Sequence, residues 1–298
     1  MMFFRHIALG IVLLGFSLPV MAIDPANFRV NADITATVDD NQSRAERRRD
    51  QVEDVSASML VNLSWFKPLG QRGLMILSWF GEGERFDEVE LLDRNTFGSS
   101  LALRWQPSSA FSAPIVEWNV AVQDDNIRAD QRDSTVISTQ LFVTRRFTDR
   151  ITMSLGGEYR NADSRSTVFD LENSRFFWNF DYLLLQKYAL YFTYSHLQGD
   201  VFSSAQRIFC NGAFATDILP LINASSAIES DDAYNETFCG EWIAYRLDGT
   251  TNTYVGGVNM PFGKSMSLDF SLMHVDVEAD LDNHYERNLV RASLLKRF

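Results

Sequence analysis

From Ala26 to Val38 the chain alternates without interruption: Ala26, Phe28, Val30, Ala32, Ile34, Ala36 and Val38 are apolar, and the residues between them are polar. Strict period two describes a β-strand with one apolar and one polar face. A second run carries the opposite parity, with Val55, Ala57, Met59, Val61, Leu63 and Trp65 set against Ser56, Ser58, Asn62 and Ser64. The same reading recurs through Phe97–Trp105, Val116–Val122, Ile137–Phe147, Ile151–Tyr159, Phe176–Leu184, Tyr188–Tyr194, Tyr254–Met260, Met266–Leu272 and Val290–Phe298. Residues 74–86 are less cleanly patterned and complete the set. The periodicity predicts about twelve strands of ~9–13 residues, a length that crosses a bilayer.

The connections alternate in length. Lys67-Pro68-Leu69-Gly70, Gln106-Pro107-Ser108-Ser109, Thr148-Asp149-Arg150, Leu185-Gln186-Lys187 and Pro261-Phe262-Gly263-Lys264 are short and carry turn residues. Long polar connections fall around 39–53, 82–94, 124–133, 161–173, 199–249 and 277–284. Short turns at one end and long loops at the other, with an even strand count, describe an all-β transmembrane antiparallel up-and-down β-barrel. A soluble sandwich has no reason to sort its loops by length. Trp65, Trp105, Trp118, Phe147 and Tyr188 lie near the short-turn ends, where an aromatic girdle meets an interface. All four lysines, Lys67, Lys187, Lys264 and Lys296, fall at that end too.

The first 22 residues read as a secretory signal peptide, with a basic start at Arg5, an apolar run from Ile7 to Val20 and small residues before a cleavage site at Ala22. The barrel is then expected over 23–298, with a long extracellular loop at about 199–249. Composition sharpens this: 46% hydrophobic and 13% aromatic residues need burial or lipid, and a net charge of −12 argues against nucleic acid as a partner. Two cysteines, Cys210 and Cys239, fit one disulfide in an exported protein.

The phrases "TVFDLENSRFFWNFDYLL", "LYFTYSHLQGDVFSS", "YRLDGTTNTYVGGVNMPFGKSMSLDFS" and "YERNLVRASLLKRF" resemble a loose family of porin-like Gram-negative outer-membrane barrels. The last, with Val290, Ala292, Leu294 and Phe298, resembles the C-terminal assembly signal of such barrels and is similar to the barrel of surface lipoprotein assembly modifiers. Lys296 departs from the usual apolar residue there. The resemblance implies a place in the outer membrane, with long loops extracellular and termini periplasmic. It also implies lipid, lipopolysaccharide and the barrel insertion machinery as partners.

Parity also nominates a lumen lining. Arg29, Asp33, Arg104 and Arg146 should face inward in the first six strands. Glu158, Arg160, Arg175, Asp181, Asp269, Arg287 and Arg291 should do so in the rest. Charges are sustainable inside a barrel because they meet water or one another. The excess of arginine allows an anion-preferring pore for a small solute, and an ion-pair network sealing a narrow barrel fits the same residues. The span 210–239 holds the apolar run Ile218-Leu219-Pro220-Leu221-Ile222. An apolar run on an external loop predicts burial, as a lid over the barrel mouth or against neighbouring loops or a partner.

An enzyme is not expected. Ser195 and His196 are adjacent and so point to opposite faces of a strand. His274 and Asp276 share a face near a rim, a spacing that chance supplies easily. The related phrases at Asp39-Asp40-Asn41 and Asp124-Asp125-Asn126 offer oxygen ligands without the spacing of a calcium loop. They read better as matching strand exits in two hairpins, solvated and paired with nearby arginines. No catalytic residue, metal or cofactor is assigned.

Overall fold

The computed structural model describes residues 27–298 apart from 186, 281 and 282; the expected signal peptide lies outside these residues. Twelve strands form the wall: β1 (Phe28–Asp39), β2 (Asp54–Leu69), β3 (Gly73–Phe86), β4 (Arg94–Trp105), β5 (Ile115–Ile127), β6 (Ser134–Arg146), β7 (Ile151–Ser164), β8 (Leu171–Leu184), β9 (Tyr188–Ile208), β11 (Glu241–Phe262), β12 (Met266–Ala279) and β13 (Asn283–Arg297). Each pairs antiparallel with the next, and β13 returns to β1 from Asn31↔Arg297 to Asp39↔Leu289. The sheet is thus a closed up-and-down barrel, a form that leaves no unpaired edge for the bilayer to meet. A four-residue strand, β10 (Ala227–Ser230), pairs only with β11 and stands outside the wall.

The alternation read from the sequence decides which face of each strand points out. Ile34, Met59, Phe97, Ile137, Leu155, Phe176, Phe270 and Leu272 are exposed on the outer face, Leu272 at 65%. An apolar side chain left open on a closed barrel is stable only against lipid. Many inward neighbours are small or polar, such as Ser64 and Ser78, whose hydroxyls lie 2.9 Å apart across β2 and β3. Trp105, Trp118 and Phe147 stand on the outer face toward the short-turn end.

The strands run from 12 to 22 residues, longer than the expected length, because they continue past the apolar band at the long-connection end. The departure is largest in β9, with 21 residues, and β11, with 22. The segment 199–249, expected as one long loop, begins and ends as a continued hairpin, over 199–208 and 241–249.

Candidate functional site: the barrel mouth and interior

The β9–β11 hairpin leaves the wall at a pair of facing glycines. β8 pairs with β9 only as far as Asn173↔Gly199, and β12 pairs with β11 only from Gly249↔Ala279. Gly199 and Gly249 are themselves register partners. Gly199 has φ of 136°, and a β-carbon there would sit on the Glu172 carbonyl oxygen; at Gly249 it would lie 2.8 Å from the Glu278 carbonyl oxygen. Only residues without a side chain allow both strands to turn here. Beyond this point β9 and β11 pair with each other as far as Ile208↔Glu241.

The extension buries both of its faces. On one, Val201, Ala205, Ile243, Tyr245 and Leu247 pack with Val277 of β12 and Tyr285 of β13. On the other, Trp242 packs with Tyr234 and with Val52, Val89, Leu92 and Ala129 from the first three long connections. Ala244 meets Val168 and Phe169 of the fourth, with Phe202 packed alongside. The Ser204 amide donates to the Ser43 carbonyl at 2.9 Å, and the Ser203 hydroxyl donates to the Arg44 carbonyl. Ser43 and Arg44 join β1 to β2, whereas in the wall β11, β12 and β13 stand between β9 and β1.

The segment between the two strands completes this packing. Cys210 and Cys239 form a disulfide with their Cα atoms 5.2 Å apart. The apolar run forms α1 (Leu219–Ala224) and the 3-10 turn before it, burying Ile218 and Leu221 while Leu219 stays exposed. A second short helix, α2 (Asp232–Asn235), carries Tyr234. Asp231, just before it and fully buried, accepts from the Ser204 hydroxyl at 2.6 Å and pairs with Arg132 at 2.7 Å. Asp217 accepts from Arg47 Nε at 2.6 Å and Arg49 Nη2 at 2.7 Å. Burial works against the charge of Asp217, yet these two arginines hold its carboxyl below the usual range. Asp50 moves the other way: burial pushes it up despite Arg49 beside it.

The charged residues that parity nominated divide into paired and unpaired groups. Arg104 pairs with Glu117 at 2.6 Å, Arg175 with Glu158, and Arg287 with Asp39. Asp269 accepts from the Tyr191 hydroxyl at 2.7 Å. Among the described residues Arg29, Asp33, Arg146, Arg160, Asp181 and Arg291 form no ion pair; Arg29 stacks over Phe66 at 5.1 Å and Arg146 over Phe111 at 6.0 Å. Charges of inward parity that escaped the sequence reading include Asp39, Asp54, Glu82, Glu84, Arg94, Glu117 and Asp125. In β3 the signal was obscured because Leu74, Ile76 and Phe80 put apolar side chains on the inner face as well. Arg44 and Arg132 sit on connections, where no periodicity can point to them. The one local mark is the left-handed backbone of Arg44, φ 59°.

The outer rim corrects one expectation. Asp276 pairs with His284 Nε2 at 2.7 Å, while His274 Nδ1 hydrogen-bonds Asn288 Oδ1 at 2.9 Å, so the His274–Asp276 spacing brings no pair together. Asp276, His284 and Glu286 place one donor atom each within 4.8 Å of one another on the exposed face. Three donors are half of what a calcium ion takes. The first Asp-Asp-Asn phrase is no solvated face: Asn41 is buried and donates to the carbonyls of Ala45 and Glu286 at 2.9 Å. The second lies at the end of β5, where Asp124 accepts from the Thr135 hydroxyl at 2.7 Å.

No protein-family model matches the chain, and no curated protein matches it. Among solved structures, an outer membrane channel from Pseudomonas putida F1 superposes with a TM-score of 0.57 at 10% identity, covering 95% of this chain and 100% of that one. The two share a fold, the closed antiparallel β-barrel. The KdgM porin covers 90% of this chain and 99% of its own at 10% identity, TM-score 0.45. The NanC porin covers 88% and 98% at 8% identity, TM-score 0.43. In that barrel Val290 stands on the outer face of the closing strand, and the Phe298 amide donates to the Val30 carbonyl at 2.9 Å, across the seam between last and first strands.

Proposed function

We propose that the barrel lies in the outer membrane of a Gram-negative cell as a channel for small solutes, with the β9–β11 hairpin as its lid. The long connections face the exterior, and the ends of β1 and β13 at the short turns face the periplasm. Lipid and lipopolysaccharide meet the apolar outer face, and the insertion machinery reads the closing strand through Val290, Ala292, Leu294 and Phe298. The inward residues listed above line the passage. One observation carries the reading: the hairpin departs from the wall at Gly199–Gly249 and buries both faces against the inner wall and the opposite connections. A strand pair that merely decorated the rim would leave one face in water.

The lid is held by polar contacts and one disulfide. Conductance of the purified chain in planar bilayers tests this. Small or rare current steps are expected with Cys210–Cys239 oxidised, and larger or longer ones after reduction with dithiothreitol. A bilayer that stays silent before and after reduction overturns the channel. It would favour a second reading, a sealed barrel anchoring a surface interaction protein, to which the interior pairs Arg287–Asp39 and Arg175–Glu158 lend support.

A further inference from the structure

Beside Phe202 of the extension lies a cavity of about 240 Å³, walled by the ends of β3 to β8, by their long connections and by the β1–β2 connection. Four arginines reach it, Arg44, Arg94, Arg132 and Arg160, against two carboxylates, Glu84 and Asp125. Two of the arginines are already engaged: Arg94 with Glu84 at 2.8 Å, and Arg132 with the buried Asp231 at 2.7 Å. Asp125 accepts from the Thr96 hydroxyl and from Gln123. Among the described residues, the guanidinium groups of Arg44 and Arg160 have neither an ion pair nor a hydrogen bond. Arg44 stands over the Phe202 ring at 4.0 Å, and its strained backbone is fixed by the Ser203 hydroxyl on its carbonyl. Strain of this kind persists only where the surroundings hold it, and it gathers at ligand sites.

Arg44 has no carboxylate beside it, and Arg160, with Asp125 and Glu158 in its neighbourhood, bonds to neither. Charge short of partners inside protein is costly, so two unpaired guanidinium groups at one half-open cavity mark a place for an anion. The Nε atoms of Arg94 and Arg132 are also buried without a partner. The remaining walls are mixed: Leu92, Ile127, Ala162, Leu171 and Phe169 form an apolar part, and Gln42, Ser134 and Ser164 a polar one. A small hydrated inorganic ion would gain nothing from the apolar part.

We infer that this cavity is a binding chamber for a small organic carboxylate with an apolar body, whose carboxylate is held by Arg44 and Arg160. The inference rests on the lidded-channel reading and names its solute class. The carboxylate takes the forked donors of the two free arginines, and the body displaces water from the aliphatic wall.

Calorimetric titration of the oxidised full chain in detergent tests it, with benzoate, its uncharged counterpart benzamide, and inorganic phosphate as probes. Benzoate is expected to bind at least tenfold more tightly than either. Arg44→Gln and Arg160→Gln should each weaken benzoate tenfold or more, while Arg128→Gln, on an exposed connection, leaves it unchanged. Benzamide or phosphate matching benzoate would overturn the chamber, as would two silent glutamine variants or no binding by the unsubstituted chain. Should a glutamine variant fail to fold, the chloride dependence of benzoate binding decides: affinity falling with salt supports the two arginines, and salt-independent affinity overturns them. Benzoate binding by a chain that passes no current would remove the channel and keep the chamber. Current without benzoate binding would remove the chamber alone.

Discussion

The wall of the barrel and the β9–β11 hairpin beyond Gly199 and Gly249 are both antiparallel β-structure, yet they distribute side chains by different rules. In the wall each strand shows lipid one face and the interior the other, so Leu190, Phe192 and Tyr254 alternate with Thr193, Ser195 and Thr253. Past Gly199 and Gly249 both faces meet protein, and the alternation gives way to Trp242-Ile243-Ala244-Tyr245, every member buried. Alternation is therefore a record of what lies on each side of a strand, not of strandedness itself. The wall is stabilised by solvent asymmetry. The hairpin is stabilised by specific partners, which makes it the part that selective changes can release.

The largest effect separating the two regions is expected from Asp231→Ala. It strips Arg132 of its buried counter-charge and Ser204 of its acceptor, a loss of about 3–5 kcal/mol for a buried pair broken on one side. Amide hydrogen exchange should accelerate over 200–208 and 241–248 and hold steady in the wall. Equal acceleration in both would show that hairpin and wall unfold as one unit. Next in size is Leu272→Arg, on the outer face midway along β12, which should cost the wall about 2–4 kcal/mol on folding into phospholipid vesicles. Its effect on the exchange of the hairpin should be small, and the reverse ranking would break the comparison.

The smallest effect is a pH response of the contact between Asp217, Arg47, Arg49 and Asp50. The ordinary carboxyl value is 3.8 for both acids, with Asp50 shifted up and Asp217 shifted down. A raised carboxyl adds stability as pH falls through its folded pKa toward 3.8. A lowered one gives stability that is complete above 3.8 and is lost below it as pH drops through its folded pKa. These two groups together make the contact firmest near pH 3.8 and weaker on either side. Bilayer recordings from pH 7 to 3 would then show least lid opening near that point. Asp217→Asn should abolish the acid limb, and an acid limb that survives it assigns the response to other groups.

Much of the fold was legible because a bilayer enforces alternation. Val55 to Trp65 needs no tertiary knowledge to be placed, and the short turns with proline and glycine give the hairpin ends. The bend was harder to read, although it left a trace. The apolar positions of β9 and β11 are even-numbered below the glycine pair, as in Phe192, Tyr194, Tyr254 and Val258. Above it, the face toward β12 and β13 is odd-numbered, with Val201, Ile243 and Leu247. A switch of parity inside one strand is a signal of changed surroundings, and it was masked by the polar stretch Gln198-Gly199-Asp200. The chamber was beyond such reading. Arg44 and Arg160 lie 116 positions apart in numbering, and they share a cavity only because four hairpins converge beside Phe202.

The placement of the hairpin also bears on how the ring holds shut. Its covalent path joins β8 to β12, yet its side chains grip Tyr285 on the last strand and the backbone of Ser43 and Arg44 after the first. Those two strands meet at the junction where a ribbon made in order becomes a circle. A hairpin that grips both sides of that junction acts as a keystone. Removing it would leave every strand pair in place while taking away the brace across the joint.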